Sequence, residues 1–392
     1  MKSNLVFSLA ALLLPAFSIF AQTESTLSIL TNADTRVIPI GRTSIIYIQC
    51  HGLGCGDLSC YGQTNFQTPN LDKLAAEGVR FTDFRPDGAN FAPALAALLS
   101  GKKSAGENGD TVATRLQAVG YHTCLIGEWG FGEKPWQLGF EEFAGFLNEN
   151  DGRNYFADEL YHFAPHGLIT ASNTFADFNG PEEIYDNTAG KKGKYLPEFF
   201  LDTMAGDNYV RIHKPDAANR YQPYFLLVNL PAPRSATAGR DDFPVPSDAP
   251  FSDEPWPQAA KNRAAVITRI DGGIGRLFEK FKDLGISNNV AVIFSSSEAP
   301  EKFADPKLNS IFGVTTNGNL PLIVWWPQGT GAKHVSNFKV SSVDFAPTAL
   351  DIGYAKPVKN LEGISLLPIL EGKEGRQVDG PSSGRVIPRG SF

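Results

Sequence analysis

Ser44-Ile-Ile-Tyr-Ile48 is a continuous apolar run rich in β-branched residues, and a glycine-rich turn, Gly52-Leu-Gly-Cys-Gly56, follows it. A strand that is apolar at every position must be covered on both faces, a condition met inside a parallel sheet. Three later runs share this character: Tyr224-Phe-Leu-Leu-Val228, Val290-Ala-Val-Ile-Phe294 and Leu322-Ile-Val-Trp-Trp326. Val79-Arg-Phe-Thr-Asp-Phe84 alternates as a half-covered strand, and Thr123-Cys-Leu-Ile126 is a short one. Helical patterns lie between them. Thr68 to Gly78 has a cap residue, proline at the first helical position, Leu71 and Leu74 on one face, and a closing glycine. Ala92 to Ser100 is small and apolar, and Thr111 to Val119 closes at Gly120. Val266, Ile270, Ile274, Leu277, Phe281 and Leu284 step by three or four along an amphipathic helix. This alternation predicts an α/β domain over residues 43–370, with a mostly parallel central sheet and helices on both faces.

The stretch from Phe143 to Tyr221 lacks sustained periodicity and is rich in Asn, Gly, Asp and aromatic residues, which predicts excursions over the sheet edge. At the start, Lys2, the apolar run Leu5 to Phe20 and small Ala21 before Gln22 read as a signal peptide, residues 1–21, and predict export to the periplasm or the exterior. Ser8, Pro15 and Ser18 interrupt that run and no second one follows, so no stable membrane span is expected after its removal. A polar leader, 22–42, and a loose Gly-, Pro-, Ser- and Arg-rich tail, 371–392, flank the domain.

The net charge is -7, and the 35 Lys and Arg form no basic run, so the chain lacks the electrostatic footprint of a nucleic-acid binder. Cys50, Cys55, Cys60 and Cys124 are too few for a disulfide scaffold, and their spacing matches no zinc pattern. A Cys55–Cys60 bridge stays open at this point. Nothing in the sequence sets the oligomeric state.

Five segments, in order, resemble the sulfatases of the alkaline-phosphatase superfamily. They are Gly54-Cys-Gly-Asp-Leu-Ser-Cys-Tyr-Gly62, Thr68-Pro-Asn-Leu-Asp-Lys-Leu-Ala-Ala-Glu-Gly-Val-Arg-Phe-Thr82, Ala96-Ala-Leu-Leu-Ser-Gly101, Gly120-Tyr-His-Thr-Cys-Leu-Ile-Gly127 and Leu322-Ile-Val-Trp-Trp-Pro327. Val340 to Thr348 and Leu361 to Leu370 extend the likeness. The resemblance implies a calcium held by Asp and Asn, a cysteine converted to formylglycine as nucleophile, and Arg, Lys and His around the sulfate. Calcium needs several hard oxygen ligands, the sulfate needs cations and helix-end N–H donors, and the leaving alcohol needs a general acid.

At the positions that carry this chemistry the chain departs from the family. The paired aspartates become His51 and Gly52; the Cys-x-Pro-x-Arg signature becomes Phe91-Ala-Pro-Ala-Leu95, with Phe91 at the formylglycine precursor and Leu95 at its arginine. The Gly-Lys-Trp lysine becomes Glu128, and a histidine expected soon after becomes Gly130. A later histidine position holds Arg153, the Pro-His pair becomes Pro233-Arg234, and the Asp-Asn pair becomes Ser297-Glu298. The downstream lysine falls near Ser310. The expectation is a pseudoenzyme with no catalytic residues, no metal ligands and no cofactor; calcium would be expected only with an intact site. The smaller C-terminal subdomain of the family would begin about where the chain ends.

Some binding readings survive that loss. The helix that starts near Ala92, with Asn90 as its cap, could attract an anion, and Arg153 and Arg234 could meet a sulfated or anionic glycan. Against this, Phe91 and Leu95 could fill the former cavity and both arginines could be solvated loop residues. His51, Glu128 and Glu298 could form a small transition-metal site, which would make the chain a metal-assisted hydrolase or an active sulfuric ester hydrolase with a non-standard site; a hydrogen-bonded polar floor is the competing reading. Ser295-Ser-Ser297 has no Gly-x-Ser-x-Gly context and reads as turn residues.

Overall fold

A computed structural model of the chain describes residues 41–88, 90–103, 109–156, 159–163, 183–186, 194–313, 318–331, 333–357 and 360–373. The segment 1–21 read as a signal peptide, nearly all of the polar leader and most of the tail lie outside the described residues.

The first strand, β1 (Ser44–His51), is buried at every position. Its side chains divide by parity, as a pleated strand requires. Ile46, Ile48 and Cys50 enter one apolar cluster, and Ile45 and Tyr47 enter the other. Its two neighbours, β7 (Tyr224–Pro233) and β8 (Val290–Ser296), run parallel to it, and β3 (His122–Glu128) runs parallel to β7 on the far side. The remaining strands are β2 (Val79–Arg85), β4 (Glu142–Phe146), β5 (Glu159–Phe163), β6 (Glu183–Asp186), β9 (Leu320–Trp325) and β10 (His334–Ser341). All belong to one sheet in the order β10-β2-β9-β8-β1-β7-β3-β4-β5-β6. The five strands from β8 to β4 are parallel throughout, whereas β9 and β5 enter antiparallel on the two flanks.

Helices cover both faces. On one side lies α4 (Gln258–Asp283), whose stripe Ile267, Ile270, Ile274, Leu277 and Phe281 is buried. It begins two turns before Val266, where small Ala260, Ala264 and Ala265 pack against the sheet. Gly273 sits inside α4 because Leu201 crosses it there: a Cβ would lie 2.8 Å from that side chain. On the other side lie α2 (Phe91–Ser100), α3 (Val112–Gln117) and α6 (Phe345–Ile352). The helices α1 (Pro69–Glu77), α5 (Pro306–Phe312) and α7 (Leu367–Leu370) are short.

The segment 143–221 is more regular than its sequence suggests. It contains β4, β5, β6 and a π-helix, Phe199–Val210, packed against α4. The buried positions Phe200, Ala205 and Tyr209 step by five and four, the period of π turns, so the usual helical stripe is absent.

All four cysteines are free thiols, so the bridge left open between Cys55 and Cys60 is not formed. Among the described residues no helix is long and apolar enough to cross a membrane.

Candidate functional site

The parallel centre of the sheet brings the C-terminal ends of β1, β7 and β3 side by side, where α/β sheets place their ligands. His51 ends β1, Glu128 ends β3 and Arg234 follows β7. All three are buried: His51 and Glu128 are 0% exposed and Arg234 is 3% exposed. Arg234 Nη2 donates to Glu128 Oε1 at 2.7 Å and to the Glu149 carbonyl. His51 Nδ1 lies 2.9 Å from Glu128 Oε2, off the line of an aligned hydrogen bond, and both ring nitrogens lack a hydrogen-bond partner. The imidazole is covered by Phe91, ring centroid to ring centroid 3.9 Å.

Phe91 opens α2 and is 1% exposed; Leu95, one turn later, is 0% exposed. Both pack into the cluster with Tyr121, Trp129 and Phe140. Asn90 precedes the helix, but its side chain makes no cap bond, correcting that expectation. Gly130 lies against the Phe91 ring, 3.3 Å from where its Cβ would stand.

A loop over residues 147–156 closes the site. Gly152 backs onto Glu128, where a Cβ would lie 3.1 Å from Oε1. Tyr155, buried with φ 63°, donates its hydroxyl to the Arg234 carbonyl. Arg153, 19% exposed at its side chain, donates to the Ser235 carbonyl at 2.8 Å and to Glu301 Oε1 at 2.5 Å. Neither arginine is a solvated loop residue: Arg234 lies inside the cluster, and Arg153 pins the loop over it.

A residue without a motif joins this arrangement. Arg263 on α4 is 1% exposed and donates to Asp57 Oδ2 at 2.7 Å, the Gly52 carbonyl at 2.9 Å and the Pro233 carbonyl at 2.5 Å. Rings of Phe243, Phe303 and Phe312 flank its guanidinium at 5.2–5.3 Å. The sequence carried a signal for it: Arg263 falls in phase with Ile267, Ile270 and Ile274 on the apolar stripe.

Burial raises the Glu128 carboxyl, and the Arg234 guanidinium at 2.7 Å, with Arg153 beyond it, pulls it back toward the charged form. Burial, then Arg234, pulls the His51 imidazole down to about 3. His51 is therefore a neutral imidazole at physiological pH. Glu298, half-buried, is raised by burial, while His51 and Arg234 oppose the rise and Glu149 and Glu128 add to it.

The residues present do not fit a calcium ion. His51 offers nitrogen where a hard cation wants oxygen. Gly52 offers no side chain and has no space for one: a Cβ there would stand 3.0 Å from both Cα and Cβ of Arg234. Ser297 Oγ bonds the Cys50 carbonyl at 3.3 Å, leaving Glu298 as the one carboxylate of the pair. Among the described residues no group of three or more His, Cys, Asp or Glu is arranged to hold a metal ion, the trio His51, Glu128 and Glu298 included. The neighbouring serines serve the backbone: Ser296 Oγ bonds the Glu298 and Cys50 carbonyls, and Ser295 Oγ bonds the Tyr47 hydroxyl. Ser310 bonds a carbonyl on α5. What remains is a polar cluster sealed by Phe91 and the loop.

Comparison with known proteins adds three findings. The sulfatase family model matches residues 43–353. Human N-acetylgalactosamine-6-sulfatase is 26% identical over 385 residues, covering 86% of this chain and 67% of that protein, and human arylsulfatase A is 28% identical over 381 residues, covering 85% and 69%. The crystal structure of Ps i-CgsB in complex with k-i-k-neocarrahexaose shares the fold with TM-score 0.62 and 23% identity over 85% of this chain and 77% of that one.

Proposed function

The chain belongs to the sulfatase family, and from that premise we propose that it is a member that no longer hydrolyses sulfuric esters and acts as a binding or assembly module. The observation that carries this reading is Phe91. At the position where the family resemblance puts the nucleophile precursor stands a ring with no nucleophilic atom, 1% exposed and tilted against the His51 ring. Leu95 removes the cation one turn later, and Glu128 reverses the charge of the lysine position. Groups that act as a unit lose their function together, so these replacements leave little beyond binding.

The partner class comes from relatives whose names refer to sulfated amino sugars, and it is a sulfated or anionic glycan. Of the two arginines read from the sequence, Arg153 is the one a glycan would reach, because Arg234 is enclosed. Export through the segment Met1 to Ala21 belongs to the same reading.

The test is sulfate release by the purified protein from an aryl sulfate and from a 6-sulfated N-acetylhexosamine. Release no greater than the blank is expected. Turnover above it that disappears on Glu128→Gln would overturn the proposal. A mature chain that begins at Gln22 would support export, and one retaining Met1 would count against it.

A further inference from the structure

At the strand ends where the family chemistry calls for a divalent cation, the cations in this chain are its own. The Arg234 guanidinium binds Glu128 Oε1 at 2.7 Å and the Glu149 carbonyl, and its charge is felt at His51 and Glu298. Glu128 and Glu149 both bear on Glu298, so the cluster is acidic without Arg234 and Arg153. One strand away, Arg263 holds the turn that follows β1 through the Gly52 carbonyl and Asp57. Gly52 lies against the backbone of residue 234, so the Arg234 position and a side chain at residue 52 compete for the same space.

The geometry points to a built-in replacement: the Arg234 guanidinium neutralises the strand-end carboxylates in place of a bound divalent metal, and the folded protein is complete without one. This inference rests on reading the cluster as the altered family site, but not on the absence of turnover. A guanidinium satisfies carboxylate and carbonyl oxygens with directed N–H donors, which a point cation cannot do with so few ligands. Its charge is also permanent, so the cluster does not depend on metal supply.

The experiment uses the full mature chain. Wild type is assayed for metal by elemental analysis, and its melting temperature is followed with a chelator and with added calcium. Substoichiometric divalent metal and an unchanged melting temperature are expected. One calcium per chain, or a lower melting temperature in the chelator, would overturn the inference. Arg234→Ala opens the guanidinium space and leaves the carboxylates without their partner. Its melting temperature should fall and then recover by roughly 5 °C with guanidinium ion at concentrations far below denaturing. A folded Arg234→Ala protein indifferent to guanidinium would refute the replacement. Should that variant not fold, Arg234→Lys against Arg234→Gln decides it: the charged variant should melt higher, and equal melting temperatures would refute the inference. The outcomes separate from those for activity. Sulfate release by metal-free wild type would sink the proposed function and leave this inference standing, whereas stoichiometric calcium without turnover would do the reverse.

Discussion

Strand β3 begins with a histidine and ends with a glutamate, and each meets the other residue type across nearly the same distance. At its start His122 Nδ1 lies 3.1 Å from Glu141 Oε2, with the side chains 31% and 32% exposed. At its end Glu128 Oε2 lies 2.9 Å from His51 Nδ1, with both at 0%. The hydrogen bond to Glu141 raises the His122 imidazole above its usual range, against burial. Burial works against Glu141 too, yet the bonds from His122 and Gln117 hold its carboxyl below the usual value. The inner pair shifts the opposite way on both sides: burial lowers His51 to about 3 and raises Glu128 against the pull of Arg234. Contact distance therefore does not decide whether a histidine and a glutamate form an ion pair. Loss of solvent does, together with a third charge, Arg234, that repels a protonated imidazole.

The largest expected difference between the two pairs is in stability at neutral pH. Glu128→Ala leaves Arg234 buried without its carboxylate and should cost about 3–5 kcal/mol, while Glu141→Ala should cost about 0.5 kcal/mol. Urea unfolding of both variants measures this, and equal losses would break the comparison. Next comes the lid of the inner pair. Phe91→Leu keeps an apolar side chain but loses the ring over His51, and should cost about 1–1.5 kcal/mol; a change within error would mean that Phe91 does not seal the site.

The third difference is in pH dependence. His51 has its folded pKa below the unfolded value, so its contribution to stability is lost as pH falls from about 6.5 toward 3. His51→Gln should flatten that acid limb, and an unchanged limb would place the acid sensitivity elsewhere. The smallest effect is at the outer pair. His122 has its folded pKa raised, so it stabilises below the unfolded pKa and the contribution disappears as pH rises through the folded one. His122→Gln should cost a few tenths of a kcal/mol at pH about 5.5 and nothing at pH about 9. A loss of the same size at both pH values would remove the charge argument.

Continuous apolar runs made β1, β7, β8 and β9 legible, because full burial on both faces leaves a compositional mark that needs no partner to be seen. The helix α4 was legible through its stripe, although small alanines concealed its first turns. The π-helix and the short strand β4 were not. A period of four to five escapes a search for 3.6, and Gly145 in β4 exists because a Cβ there would meet the Gly127 carbonyl at 1.9 Å. The alternating strand β10, buried on one face at Ser336, Phe338 and Val340, was also passed over.

At the site, the residue types at Phe91, Leu95 and Glu128 were readable from their motifs. The bond between Glu128 and Arg234 spans 106 positions, and no local pattern encodes such a pair. The role of Arg263 was readable in principle, since an arginine on an apolar stripe must bring its own partners inside.

Gly52 carries one more consequence. With φ 72° and the chain of residue 234 pressed against it, this position does not readily accept an aspartate while that segment stays where it is. Placing an acidic side chain there would thus have to proceed in order, moving the neighbouring segment first and adding the side chain second. The intermediate would lack the bond between Glu128 and Arg234 without a new partner in its place. The path to any side chain at this turn therefore runs through a less stable protein, a barrier set by one missing methyl group.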